Sequence, residues 1–272
     1  MDRRLTPFSG RVALHSVKGK VEADSYTEGE LASVARPLVD LFDQPNGKRD
    51  RQLVLGAEIT VIDRQENFVF VQAASDGYCG WIASDAVGKP ILPTHWVAAS
   101  ASHAYSGPKV QTPEHFALPI GARLAVSTLE NRFGLSQVGY VPMVHLRPIA
   151  DRLMDPVSVA ESLLGTPYLW GGNSAAGIDC SGLVQVALVA CGQPCPGDSD
   201  LQQQVGSAIP EDAPLSRGDL LFWKGHVAMV VDETRLIHAN GHSMSVAYED
   251  IVECTTRIKS QEGRGIIARR RP

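Results

Sequence analysis

Through the first 90 residues, apolar and polar positions alternate over short runs. Residues 51–61 (RQLVLGAEITV), 68–73 (FVFVQA) and 78–82 (YCGWI) carry the pattern, and Ser75-Asp76-Gly77 forms a turn between the last two. These windows lack the 3.6-residue spacing of a helix, so they predict the strands of a small all-β barrel. Residues 91–150 repeat the theme at Trp96-Val97, Ala104-Tyr105, 117–126 (ALPIGARLAV) and 140–146 (YVPMVHL). The segments GYCGWIASDAV and VGYVPMVHLRP each place a Gly-aromatic step before an apolar run. That correspondence points to a duplicated module of about 60 residues.

Residues 151–272 change character. Residues 157–164 (VSVAESLL) have helical spacing after Asp155-Pro156, a cap and first-turn pair, and Gly165-Thr166-Pro167 stops the helix. Residues 181–190 (SGLVQVALVA) predict a second, strongly apolar helix. Strand patterns follow at 219–223, 227–231, 235–239 and 266–269. Helices first and strands afterwards predict an α+β unit with an antiparallel sheet.

The chain has 272 residues, 44 % of them hydrophobic and 20 % charged, which suits globular domains with buried cores. A net charge of −5 argues against a nucleic-acid binder, because phosphate contacts need clustered Lys and Arg; the one cluster is Arg269-Arg270-Arg271. No run reaches the roughly 18 apolar residues of a membrane span. The first 20 residues lack the apolar stretch of a secretory signal, which leads to the expectation of a cytoplasmic protein. Five cysteines, an odd number, do not make a disulfide framework, and Cys191 and Cys195 lack a second ligand pair for zinc. The histidines at 95, 103, 115, 145 and 242 share no ligand spacing and read as surface or barrel residues, so neither a metal nor a cofactor is expected.

Chemistry concentrates in residues 165–182, GTPYLWGGNSAAGIDCSG. Asp179-Cys180-Ser181-Gly182 opens the apolar helix after a glycine-rich loop. A thiol there sits in the positive end of the helix dipole, which favours the nucleophilic thiolate. His226 begins a predicted strand, and His238 ends the next, twelve residues on. Nucleophile, base and orienting group are the parts that acyl transfer needs. Asp179 also reads as the N-cap of the helix.

PYLWGG, DCSG, GDLLFWKGHVAMVV and LIHAN together resemble the NlpC/P60 family of papain-like cysteine peptidases. The resemblance covers about 120 C-terminal residues. It implies Cys180 as nucleophile, His226 as general base, His238 as the third polar member and Tyr168 at the oxyanion site. With the upstream β zones it implies an α+β papain-like domain at 151–272 behind two bacterial SH3-type barrels, at 1–90 and 91–150. That arrangement resembles γ-D-glutamyl-L-diamino-acid endopeptidases acting on murein peptides. The resemblance further implies an ammonium site for a free N-terminal L-Ala, matched here by Tyr78, Asp179, Ser181 and Ser199, with Glu58 as the acidic residue of the first barrel. A primary ammonium needs such carboxylates and oxygen acceptors once buried. The expected partner is therefore a murein peptide, in recycling. An envelope hydrolase acting on intact wall and a non-enzymatic binding protein on the same scaffold are the alternatives.

Overall fold

The alternating runs of the N-terminal half close over two separate sets of apolar side chains in the computed structural model. The model describes residues 1–272 apart from the side chain of Glu262. The chain divides into two units, Met1–Asp151 and Arg152–Pro272.

In the first unit, seven strands form one sheet, in the order Arg49–Val54, Leu38–Phe42, Cys79–Ala83, Phe68–Ala73, Glu58–Gln65, Glu30–Val34 and Val87–Gly88. Alternate side chains point to a shared core of Leu41, Ile59, Val69, Val71 and Ile82. A second core of Val97, Leu118, Leu124 and Val141 lies among two further sheets, of five and three strands, built from residues 95–148. Leu55, at the turn of the first sheet, packs into this second core.

The predicted single strand at 51–61 is two strands, Arg49–Val54 and Glu58–Gln65. The break is at Gly56, whose φ is +73°. A Cβ there would collide with the Arg123 carbonyl, so close approach of the two β parts demands glycine. The 117–126 run likewise divides into Glu114–Pro119 and Arg123–Leu124. Glu30–Val34 and Leu38–Phe42 lie in a stretch where the sequence pattern raised no expectation.

The second unit holds a six-stranded sheet. Its strands are β1 (Ser207–Ala208), β2 (Leu220–Trp223), β3 (His226–Val230), β4 (Arg235–Asn240), β5 (Ser245–Asp250) and β6 (Ala268–Arg271), in the order β1-β6-β2-β3-β4-β5, and every pairing is antiparallel. Helix α1 (Pro156–Glu161) starts where expected, with Asp155 accepting from the Val157 N–H at 3.0 Å, but ends three residues sooner than the pattern suggested. Helix α2 (Cys180–Ala190) packs against α1, β3 and β4. The short α3 (Ser199–Gln202) follows.

A fourth helix, α4 (Ile251–Glu262), revises the order of helices first and strands afterwards. Asp250 caps it by accepting from the N–H groups of Val252 (2.8 Å) and Glu253 (3.1 Å). Its apolar stripe is thin: Cys254 and Ile258 join Leu221, Trp223, Ala228, Val230 and Leu236 of the sheet. Because β2 and β3 meet neighbours on both faces, they are almost continuously buried and read as apolar runs. No helix among the described residues is long and apolar enough to cross a membrane.

Candidate active site

Cys180 is the first residue of α2, and its position is set by Asp179. Asp179 Oδ1 accepts from the Gly182 N–H at 2.7 Å and the Ser181 hydroxyl at 3.0 Å. Oδ2 accepts from the Gly171 N–H at 2.8 Å. One carboxylate thereby caps the helix and ties the glycine-rich loop to it. Burial raises the Asp179 pKa, while these three donors pull it back.

The Cys180 thiol is almost fully buried, and burial pushes its pKa up to about 12, helped by the charge of Asp179. Backbone N–H groups of Val227, Ser181 and Cys180 act in the opposite direction. The helix N-terminus therefore works in the expected sense, but desolvation opposes it more strongly, so burial favours the neutral forms of both the thiol and the imidazole. The Val227 N–H at the thiol also shows that the start of β3 stands beside Cys180.

His226 opens β3 after the Lys224-Gly225 turn and pairs in register with Trp223. His238 lies on β4 and is 1 % exposed. His226 Nε2 and His238 Nδ1 are 2.8 Å apart. Burial is the main force lowering both pKa values, to about 3 for His226 and about 4 for His238. His238 and Arg257 lower the first further, whereas Glu249 opposes the shift of both.

Glu249 of β5 and Arg257 of α4 extend the cluster, and the sequence reading named neither. Glu249 Oε2 stands 3.1 Å from His238 Nε2. Arg257 donates to both Glu249 oxygens, at 2.9 and 2.7 Å. The ligand atoms of His238, Glu249 and Cys254 lie within 4.8 Å of one another, a spacing that a metal ion could use. Arg257 already neutralises that carboxylate and reaches Cys254 Sγ at 3.7 Å, so a guanidinium does the work of the cation. All five cysteines are free thiols.

Tyr168 is half-buried in an extended segment bridged to Ile178, and its N–H donates to the Met244 carbonyl at 2.9 Å. Burial, Cys180 and Asp179 all push its phenol pKa up, so it is a neutral hydroxyl near the thiol. Ser181 and Ser199 are both buried. Ser181 is the second residue of α2 and Ser199 the first of α3, and Gln202 joins the two helices: its Nε2 donates to the Ser181 carbonyl at 2.9 Å and the Pro196 carbonyl at 3.0 Å.

Tyr78 and Glu58 belong to the first unit. Tyr78 is in the first core, with the Arg51 guanidinium 5.1 Å from its ring centroid. Its N–H donates to Asp76 Oδ1 at 3.2 Å, and Asp76 pairs with Arg51. Within this unit the Tyr78 backbone thus meets the carboxylate of Asp76, which the sequence reading placed only in the turn before the strand. Glu58 is exposed at the start of its strand. The second unit thus assembles a buried thiol, a neutral imidazole pair, a phenol and helix N-terminal N–H groups, the parts list of acyl transfer to sulfur.

Residues 165–260 match the model of the NlpC/P60 family, and residues 41–87 match that of the bacterial dipeptidyl-peptidase Sh3 domain. The chain is 29 % identical over 237 residues to the gamma-D-glutamyl-L-lysine dipeptidyl-peptidase of Bacillus subtilis (strain 168), covering 78 % of each chain. It is 27 % identical over 238 residues to dipeptidyl-peptidase 6 of Lysinibacillus sphaericus, covering 77 % of this chain and 87 % of that one. Its fold matches the crystal structure of an NlpC/P60 family protein from Bacillus cereus ATCC 10987 with a TM-score of 0.75, at 20 % identity over 89 % of this chain and 99 % of that one.

Proposed function

Through its second unit the chain belongs to the NlpC/P60 family of cysteine peptidases, and from that premise we propose that it cuts the γ-D-Glu–diamino acid bond of murein peptides that carry a free N-terminal L-Ala. The observation that carries this reading is the buried Cys180 at the start of α2, set beside a strand whose His226 is hydrogen-bonded to His238 at 2.8 Å. In the reaction, His226 takes the thiol proton, and Cys180 Sγ attacks the carbonyl carbon of the γ-linked amide. Backbone N–H groups at the α2 N-terminus, with the Tyr168 hydroxyl, hold the developing oxyanion. His226 then gives its proton to the leaving amine, and water, deprotonated by the same imidazole, hydrolyses the thioester. Asp179, Ser181 and Ser199 are the proposed polar contacts for the substrate ammonium.

The names of the Bacillus and Lysinibacillus relatives support a dipeptide-releasing reaction, which starts from a free amino end. Murein-peptide recycling in the cytoplasm is the setting that follows from such a requirement. The test is hydrolysis of L-Ala-γ-D-Glu-diaminopimelate, free and N-acetylated, by the wild type and by Cys180→Ala. We expect cleavage of the free peptide alone, and a fall of at least about 10³-fold in the variant, as for loss of a catalytic nucleophile. Equal cleavage of both peptides, or digestion of intact wall, would replace recycling with an envelope role.

A further inference from the structure

The hydrogen bond between the two imidazoles can be made in two ways, and only one leaves His226 a base. A hydrogen on His238 Nδ1 would donate to His226 Nε2, and neutral His226 would then hold its own hydrogen on Nδ1. Nε2 is the nitrogen engaged by His238, so Nδ1 is the one left to receive the thiol proton. A bare His238 Nδ1 instead accepts from His226 Nε2–H and frees His226 Nδ1. The choice therefore passes to the far nitrogen of His238.

That nitrogen, Nε2, is buried and makes no well-aligned hydrogen bond; Glu249 Oε2 stands 3.1 Å away. At that distance an ionised carboxylate offers a neutral imidazole only lone pairs, so it favours the tautomer that carries its hydrogen on Nε2. Arg257 holds that carboxylate by two bonds and keeps its pKa below the ordinary range against the opposing effect of burial.

We propose that Glu249 is a positioning residue that sets the tautomers of both histidines: it holds the hydrogen of His238 on Nε2, so that His238 Nδ1 accepts from His226 Nε2–H and His226 Nδ1 is free to take the thiol proton. In this arrangement Glu249 sets the tautomer of the base through its contact with His238. The inference rests on the roles proposed above for Cys180 and His226. The proton balance is closed: Sγ–H breaks, His226 Nδ1–H forms, and no hydrogen leaves His238 or reaches Glu249.

The first test needs no substrate. Long-range proton–nitrogen correlation spectra of the full chain labelled with ¹⁵N-histidine, at neutral pH, report which nitrogen of each imidazole carries hydrogen. Both His226 and His238 are expected as Nε2–H tautomers; a hydrogen on His238 Nδ1 overturns the proposal. The second test is kinetic. Both carboxylate positions face Arg257 donors, so Glu249→Gln removes the charge, sets an NH₂ against one of those donors and weakens the hold on the His238 Nε2 hydrogen. We expect kcat to fall about 10²-fold with KM within about twofold, less than the ~10⁴-fold that a wrong tautomer costs when the orienting group touches the base directly. In His238→Asn an amide oxygen accepts from His226 Nε2–H, and no tautomer remains to be set. Adding Glu249→Gln to that background is expected to cost less than about threefold. Equal losses in both backgrounds would make Glu249 a structural residue only and sink the proposal. If Glu249→Gln fails to fold, the spectra of the wild type still decide. An inactive wild type would count against the peptidase reading and leave the tautomer result standing.

Discussion

Asp179 shows how much one side chain can hold together. It accepts from the Gly182 N–H, the Gly171 N–H and the Ser181 hydroxyl. Replacing it with Ala removes an N-cap worth about 1–2 kcal/mol and leaves a loop N–H without its partner. Denaturant unfolding of Asp179→Ala is expected to show a loss at or above that range, because the thiol sits on the turn that the cap fixes. Asp179→Asn keeps an acceptor for Gly182 and is expected to lose less. An equal loss in Asn and in Ala would mean that the charge, and not the acceptor, does the work. The placement of Cys180 at the start of α2, and of His226 and His238 on neighbouring strands, was legible from residue type and spacing. Glu249 and Arg257 were not, since each meets its partner only after β4, β5 and α4 are packed.

At the scale of elements, α2 is pressed against its own preceding loop. A Cβ on Gly182 would run into the Gly172 carbonyl, and a backbone atom has little room to move. Helix propensity alone predicts that Gly182→Ala gains about 0.5–1 kcal/mol. Overpacking predicts a loss of about 1–3 kcal/mol, with the thiol displaced and kcat lowered. We expect the loss, read as a lower unfolding midpoint; a gain would show that the loop yields freely. Helix α2 was legible because it is apolar nearly throughout. Helix α4 was missed because few of its residues are apolar, although Asp250 with Glu253 three residues later carries the capping pattern that announces a helix start. The strands at 51–61 and 117–126 each read as one run because apolar residues continue through a turn.

At the scale of the whole molecule, the buried histidine pair makes stability depend on pH. His226 and His238 titrate near 3 and 4 in the fold but near 6.5 when unfolded. Between those limits the unfolded chain binds protons that the native chain refuses, so stability falls as pH drops from about 6.5 towards 4. Above about 6.5 both states are neutral at these sites and the effect vanishes. Lowered carboxylates such as Asp63, Asp155 and Glu249 add their own loss at more acid pH, as their native pairings are protonated. Denaturant midpoints measured from pH 8 to 4 are expected to decline through the histidine range, and His226→Gln/His238→Gln is expected to flatten that part of the curve. An unchanged slope in the double variant would place the acid sensitivity elsewhere.

The sequence by itself determined the class of the molecule: alternating runs for the β half, a cysteine opening an apolar helix, and two histidines on consecutive strands. Those features are local, and period, capping and turn chemistry write them directly into residue order. Tertiary structure decided what burial decides. It set desolvation against the helix dipole, and burial favours the neutral thiol and imidazole where the dipole alone favours a thiolate. It also brought a carboxylate from β5 and a guanidinium from α4 to the far side of His238. Those contacts join residues 8 and 11 positions apart, on separate elements, and no sequence period encodes them.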